Sequence, residues 1–305
     1  MRVAVSGASG LIGSALVAEL AAASVDVVRL VRREPRSEDE IKWEPLAAAR
    51  GLDPAVLSGV DAVVHLCGAP IADKRWTAAR KAELRSSRIA STRTLAQAMA
   101  TAAQSSQSAP SVLICGSAMG FYGDTADRVV DEQAPGGTGF LAGLVRDWEA
   151  ATEPATAAGI KVVNIRSGLV LAPRGGLLGR LLLPFKLGLG AKIGSGTQYM
   201  SWISLTDEVR AIRFLLDRQE LAGPVNLTAP EPVTNAEFTR ALAQALGRPS
   251  LLQLPGPLLK GALGELSVEL LASTRVVPSR LTQAGFSFRD PDIRTALATI
   301  VGAAG

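Results

Sequence analysis

The sequence is poor in the side chains that mark metal, disulfide and nucleic-acid chemistry: 305 residues contain two cysteines, one histidine and two tyrosines, and aromatic residues make up 4%. Cys67 and Cys115 each sit inside apolar runs, Val63-Val-His-Leu-Cys67 and Val112-Leu-Ile-Cys115. That setting favours buried free thiols over a disulfide, so a reducing, cytoplasmic setting is expected. With His65 alone and no Cys/His cluster, no metal site is expected. The formal charge of +4 comes from scattered basic residues without interleaved aromatics, which excludes the usual nucleic-acid footprint. No apolar run approaches the ~20 residues needed to span a bilayer, so no membrane partner is expected either. Arg2 ahead of an apolar stretch ending at Ala21-Ala-Ala-Ser24 has the outline of a leader peptide, but the internal glycines and the strand-like segment that follows argue against one.

What is abundant is apolar material, 48% of residues, arranged in a rhythm. Short β-branched runs at Val3–Ser6, Val25–Val31, Ala62–Leu66, Val112–Cys115, Lys161–Ile165 and Val225–Leu227 alternate with helical patterns at Leu11–Ala23, Ala78–Ala103, Phe140–Ala158 and Asp207–Asp217. Such alternation predicts an α/β fold built on a doubly wound parallel sheet. Loops are expected at Arg33–Glu40, Gln104–Ser111 and Asp124–Gly139. After Arg166 the rhythm breaks into glycine-rich and proline-punctuated segments. Residues 1–168 and 204–228 are therefore expected to form a dinucleotide-binding domain, and 169–203 and 229–305 a smaller substrate-side lobe, with ligand between them.

The first strand runs into Ser6-Gly7-Ala-Ser9-Gly10-Leu11-Ile12-Gly13 and then a helix. A buried strand turning sharply into a helix aims backbone amides and the positive end of the helix dipole at a pyrophosphate, and side chains at those turns would hold the backbone away. Gly7, Ser9, Gly10, Leu11, Ile12 and Gly13 are the candidate phosphate contacts. About nineteen residues further on, where a carboxylate would grip a ribose 2′-hydroxyl, the chain instead reads Arg32-Arg33. Forked arginine hydrogen bonds suit a 2′-phosphate, which favours NADP (NADPH) over NAD. A solvated basic loop is the alternative, since Glu34 and Arg36 are charged as well. The strand ending Leu66-Cys67-Gly68-Ala69 supplies small residues against which a ribose and nicotinamide fit, and His65 reads as a packed core histidine. Lys74-Arg75-Trp76 follows at the cleft mouth, a cation pair beside an indole suited to an anionic or sugar-like ligand or, equally, a helix-start surface cluster. Arg85 and Arg88 on the next helix either pair with Glu83 or reach the same pocket. Met200 and Trp202 are candidates for the far wall, though burial between lobes explains them as well.

Taken in order, Ser6-Gly-Ala-Ser-Gly-Leu-Ile-Gly13, Asp61-Ala-Val-Val-His-Leu-Cys-Gly68, Ser117-Ala-Met-Gly-Phe-Tyr-Gly123, Asn164-Ile-Arg-Ser-Gly-Leu-Val-Leu-Ala-Pro173 and Trp202-Ile-Ser-Leu-Thr-Asp207 resemble the extended short-chain dehydrogenase/reductases, the NAD(P)-dependent epimerase/dehydratase group. Ile71-Ala-Asp-Lys-Arg-Trp76, Ser87-Arg-Ile89, Trp148-Glu149, Gly194–Trp202 and Asn226–Pro232 resemble its "epimerase family protein" branch, and the likeness spans essentially the whole chain. It implies a Rossmann sheet and a reacting carbon held between nicotinamide and a Ser/Thr, Tyr and Lys set, the tyrosine acting as acid and base and the lysine lowering its pKa. Ser117 matches the serine. The Tyr-x-x-x-Lys pair is missing: four residues beyond Tyr122 and Tyr199 stand Ala126 and Ile203, and the helix where the motif belongs opens Phe140-Leu-Ala-Gly-Leu144. Tyr122, near Ser117, is the one tyrosine available for recruitment. Two functions follow from these residues. One is an NADP-dependent oxidoreductase or epimerase acting on a small sugar-like or anionic molecule; the other is a non-catalytic NADP-binding sensor or scaffold. Homodimerisation through the long helices is common in the group the sequence resembles, yet no motif demands it.

Overall fold

A computed structural model describes residues 1–105 and 108–302. Seven strands form one parallel sheet: β1 (Arg2–Ser6), β2 (Asp26–Val31), β3 (Glu40–Lys42), β4 (Ala62–His65), β5 (Val112–Ala118), β6 (Lys161–Ser167) and β7 (Gly223–Leu227). Their order across the sheet is β7-β6-β5-β4-β1-β2-β3. The chain leaves β1 outward through β2 and β3 and then returns to the other side of β1 through β4, so the order reverses between β1 and β4. A crevice opens beyond the carboxyl ends of strands at such a reversal. Parallel strands covered on both faces must be apolar throughout, and β1, β4 and β5 are buried along nearly their whole length. The three-residue β3 begins at Glu40, the last residue of an expected loop, and no strand was expected there; with charged ends and only Ile41 apolar, it carries no pattern that marks a strand.

One face of the sheet packs on helix α1 (Leu11–Ala22) and the helix Leu205–Leu216, where Leu16, Leu20, Ile212 and Leu215 meet Val5, Ile114 and Val225. The other face packs on helix α2 (Ala78–Ser105), through Leu95 and Met99 against Val63 and Leu113, with Trp43 closing the layer. Helix α3 (Phe140–Ala150) is shorter than its pattern: Thr152 and Pro154 break the run, and a separate turn, Glu153–Ala157, continues it. Leu171, Leu178, Phe185, Trp202, Phe238, Leu242 and Leu297 form a further core apart from the sheet, bringing 169–202 together with 229–300. Residues 281–288 instead join the sheet, through Leu281 and Phe286. Among the described residues no helix is long and apolar enough to cross a membrane.

Candidate functional site

The three glycines between β1 and α1 are required for three different reasons. Gly7 has φ of +74°, and a Cβ there would stand 2.9 Å from the carbonyl of Leu66. Gly13 is buried under the turn, where a Cβ would overlap the carbonyl oxygen of Gly7 at 2.2 Å. Gly10 is exposed, and a Cβ would meet only the Gly7 oxygen at 3.2 Å. Its role is to leave the entrance of α1 bare: Gly10 caps the helix with no side-chain hydrogen bond, whereas Ser204 caps the helix Leu205–Leu216 with its hydroxyl. The free amides of the first turn of α1 therefore face outward beside exposed Ser9, with half-buried Leu11 and Ile12 behind. This cradle fits a dinucleotide pyrophosphate. The loop after β6 leans over it, since a Cβ on Gly176 would lie 3.3 Å from the Leu11 side chain, and this brings exposed Arg174 to the same end. No sequence pattern singled Arg174 out.

The two arginines beyond β2 are not equivalent. Arg33 grips Glu40 at the start of β3 with both Nη atoms, at 2.7 and 2.6 Å, and these hydrogen bonds, with one from the Arg36 amide, hold the Glu40 carboxyl down at about 2. Arg32 is exposed and lies near enough to Cys67 for its charge to favour the thiolate, against the larger effect of burial, which pushes the Cys67 thiol up. Leu66 and Cys67 border the glycine turn, and Gly68 and Ala69 continue the rim. Cys67 is half-buried and free, whereas Cys115 is fully buried with its thiol pushed up to about 12 by burial.

His65 closes β4, fully buried. The Ser91 hydroxyl donates to the Ser87 carbonyl at 2.7 Å, so His65 Nε2 must donate to Ser91 Oγ (3.2 Å) and Nδ1 must accept from Ser6 (2.6 Å). Burial lowers its pKa to about 4, so the ring is neutral and structural.

A buried polar network lies at the carboxyl ends of β5 and β6, where Ser117 and Arg166 pair in register. Ser117 Oγ donates to Glu149 Oε1 at 2.6 Å. Arg166 grips the same carboxylate with Nε on Oε1 and Nη2 on Oε2, both at 2.8 Å. The guanidinium stacks 3.5 Å from the Phe121 ring centroid, and Nη1 donates to the Tyr122 hydroxyl at 3.0 Å. Tyr122 in turn donates to Asn226 Oδ1 at 2.7 Å, and burial raises its pKa. Its proton is therefore committed inside the network. Burial opposes the charge of Arg166, but the hydrogen bonds and charge of Glu149 outweigh it, so its pKa is raised. Glu149 and Arg166 are residues to which sequence reasoning gave no role.

A second serine and carboxyl pair lies one strand position on: Ser167 Oγ donates to Glu208 Oε1 at 2.5 Å. Among the described residues no cation answers here and Oε2 has no partner, and burial pushes the carboxyl up to about 8. Glu208 is neutral at pH 7.

Phe140 and Leu144, where Tyr and Lys were sought, pack with Leu84, Leu266 and Trp76 in a small apolar cluster. Trp76 is part of that cluster, its ring edge-on to Phe140 at 5.1 Å and its Nε1 donating to the Ile71 carbonyl, so it offers a ligand almost no surface. Trp202 is wholly buried and donates to the Glu231 carbonyl, which leaves it none. Met200 is half-buried, with its sulfur accepting from Asn235. Lys74 and Arg75 are exposed, and Arg75 lies against Gly264 of the C-terminal segment. Between residues 122–139 and 256–272 runs a cleft of about 1030 Å³, walled by Tyr122, Thr138, Lys260 and Glu269 among others.

Residues 3–227 match the NAD dependent epimerase/dehydratase family, and residues 254–300 match a domain of unknown function, DUF1731. The chain is 52% identical over 296 residues to Epimerase family protein Mb2239 of Mycobacterium bovis, covering 97% of this chain and 96% of that one. It superposes on the crystal structure of human epimerase family protein SDR39U1 (isoform 2) with NADPH at a TM-score of 0.89, with 33% identity over 99% of both chains. It is also similar to a structure described as the nucleoside-diphosphate sugar epimerase from Corynebacterium glutamicum, at a TM-score of 0.82 and 34% identity, covering 99% of this chain and 58% of that one.

Proposed function

Because the chain belongs to the NAD-dependent epimerase/dehydratase family, we propose that it is an NADP-dependent oxidoreductase or epimerase whose proton-transfer group is Glu149 acting through Ser117, in place of the absent tyrosine and lysine. The observation that carries this reading is the hydrogen-bonded Ser117, Glu149 and Arg166 arrangement at the carboxyl ends of β5 and β6. When bound, the dinucleotide supplies a carbon that accepts or gives hydride. Gly7, Gly10, Gly13 and the first amides of α1 hold its pyrophosphate, and Arg32, unlike the engaged Arg33, is the group for a 2′-phosphate. That SDR39U1 was crystallised with NADPH supports the choice of NADP.

The residues act as follows. A substrate hydroxyl hydrogen-bonds to Ser117 Oγ and passes it a proton as its carbon is oxidised; Ser117 passes its own proton to Glu149 Oε1 at 2.6 Å. Arg166 keeps that carboxylate in place, and the reverse sequence serves reduction. Tyr122 positions Arg166 and does not move a proton to substrate. Ser117→Ala removes the relay while leaving the ion pair. Its NADPH-dependent turnover over a panel of carbonyl compounds and nucleotide sugars is expected to fall by about 100-fold or more with NADPH affinity unchanged. Wild-type turnover retained in Ser117→Ala would overturn the assignment.

The second reading, a non-catalytic NADP-binding protein, is favoured by half-buried Phe140 and buried Leu144 packing in an apolar cluster where the acid/base pair was expected. It predicts tight NADPH binding and no turnover by the wild type over the same panel.

A further inference from the structure

Most of the large apolar side chains left exposed among the described residues come from two segments far apart in sequence. Leu183, Leu187 and Leu189 lie at the end of the helix Gly176–Lys186 and in the turn after it, and Leu251, Leu252 and Leu258 lie around the strand Leu252–Leu254 and in the helix Gly256–Leu263. A short parallel pairing joins the segments, with Leu252 beside Ala191 and Leu254 beside Ile193. The Leu189 amide donates to the Pro184 carbonyl, which folds the turn back on its helix next to that pairing. Leu252 and Leu254, two apart on a strand, share a face with Ala191 and Ile193, and none of the four belongs to a core cluster of the described residues. Leu251 is 92% exposed and the strand Leu252–Leu254 is exposed throughout, so the leucines stand on a ridge and not in a groove. A contiguous apolar surface of this kind marks a contact with something else.

The charge on the ridge has one sign. No aspartate or glutamate occurs in 176–193 or 246–264, although the whole chain carries 28 acidic residues against 32 basic ones. Arg180 is paired with Asp73, and Glu265, just past the second segment, with Lys81. Exposed Lys186, Arg248 and Lys260 make no ion pair among the described residues. A second copy docked about a two-fold axis through this face would set those cations against their own equivalents with no acid to answer them. A protein partner would need an acidic groove shaped to the ridge. A bilayer with anionic headgroups needs no matching shape: its charge answers the cations and its acyl boundary takes the leucines.

We propose that this ridge seats the protein on an anionic lipid surface, with its leucines in the acyl boundary and Lys186, Arg248 and Lys260 among the headgroups. The lack of a spanning apolar run made a membrane partner unexpected from the sequence, but a surface contact needs no span. The patch is assembled from two distant segments, so no continuous run announces it.

The test is co-sedimentation of the full-length chain with vesicles of phosphatidylcholine, alone or with about one-third phosphatidylglycerol, at low and high salt. Wild type is expected to partition about tenfold or more better onto the anionic vesicles, and salt should weaken the contact. Leu187→Ser combined with Leu251→Ser should cost about tenfold or more by removing two inserted leucines. Lys186→Gln combined with Arg248→Gln should lose most of the preference for anionic vesicles. Leu46→Ser, which removes an exposed leucine outside the ridge, should bind as wild type does. All these positions are exposed, so the variants should melt with the wild type. No partition onto anionic vesicles overturns the proposal, as does equal partition onto neutral ones or binding that the leucine substitutions leave unchanged. Light scattering of the same samples covers a second copy: a dimer that Leu187→Ser with Leu251→Ser dissolves would assign the ridge to self-association and overturn the lipid contact. An acidic amphipathic peptide titrated alongside covers a protein partner, and its saturable binding without any binding to vesicles would overturn the proposal too.

Discussion

The glycine turn after β1 and the Ser117 network are made of different material. The turn presents backbone, three glycines and an uncapped helix within seven consecutive residues. The network presents side chains, Ser117, Glu149, Arg166 and Tyr122, brought together from β5, α3, β6 and the turn between β5 and α3. A backbone surface tolerates almost no substitution because any Cβ intrudes on it. A side-chain network can be rebuilt from other residues as long as charge and hydrogen bonds balance. That difference explains how the cofactor turn is intact while Phe140 and Leu144 stand where acid and base were expected.

The largest effect is expected at Gly13. Gly13→Ala forces a Cβ into the Gly7 oxygen, and NADPH affinity measured by calorimetry should drop by about 100-fold or more, about 2.8 kcal/mol. An alanine variant that binds normally would remove the distinction between the two sides. Next in size, Glu149→Gln should abolish turnover and lower stability, because Arg166 is left buried beside a neutral partner. Restoring the carboxylate one methylene short, as Glu149→Asp, should recover folding more than activity. Arg32→Ala should weaken NADPH by about tenfold and leave NADH unchanged, the loss expected for one charge-assisted contact; Arg33→Ala should affect both dinucleotides alike by loosening Glu40. Equal discrimination by the two variants would show that both reach the phosphate.

The smallest effect concerns the serine and carboxyl pair without a cation. The folded-state pKa of Glu208, about 8, stands above the ordinary carboxylate value, so the folded chain holds a proton that the unfolded chain releases. Its neutral form is fully compatible with burial below about pH 4.5, and stability is lost as pH rises from there through about 8. Glu208→Gln should flatten this part of the melting temperature profile, with the variant gaining on wild type by pH 9. An unchanged slope would place Glu208 among the ionised carboxylates.

The legibility of the sequence followed the same division. The turn after β1 could be read because its parts are adjacent and each glycine has a steric reason to be there; the parallel sheet was legible for a similar reason, its strands being short apolar runs with helices between them. The short β3 was missed because only Ile41 of its three residues is apolar, and with it went the partner that occupies Arg33. Glu149 and Arg166 were visible as letters but not as a pair. Thirty-two residues separate Ser117 from Glu149 and 17 separate Glu149 from Arg166, so only the fold brings them into contact. A signal was available, since Asn164 and Arg166 interrupt an otherwise apolar strand and a charged residue in a central strand demands a partner. Trp76 and Trp202 could not be assigned from sequence, because an indole in a core and an indole lining a pocket leave the same mark.

The most direct test of the central claim, that a rebuilt side-chain network performs hydride chemistry beside an intact cofactor turn, uses NADPH deuterated at the transferable position. Wild type and Ser117→Ala, each shown to bind the dinucleotide, are incubated with a metabolite extract, and mass spectrometry follows the label. Deuterium is expected in a small-molecule product with wild type and is expected to be lost with Ser117→Ala. Label that stays on the bound dinucleotide in both would contradict it, leaving a protein that holds NADP and transfers nothing.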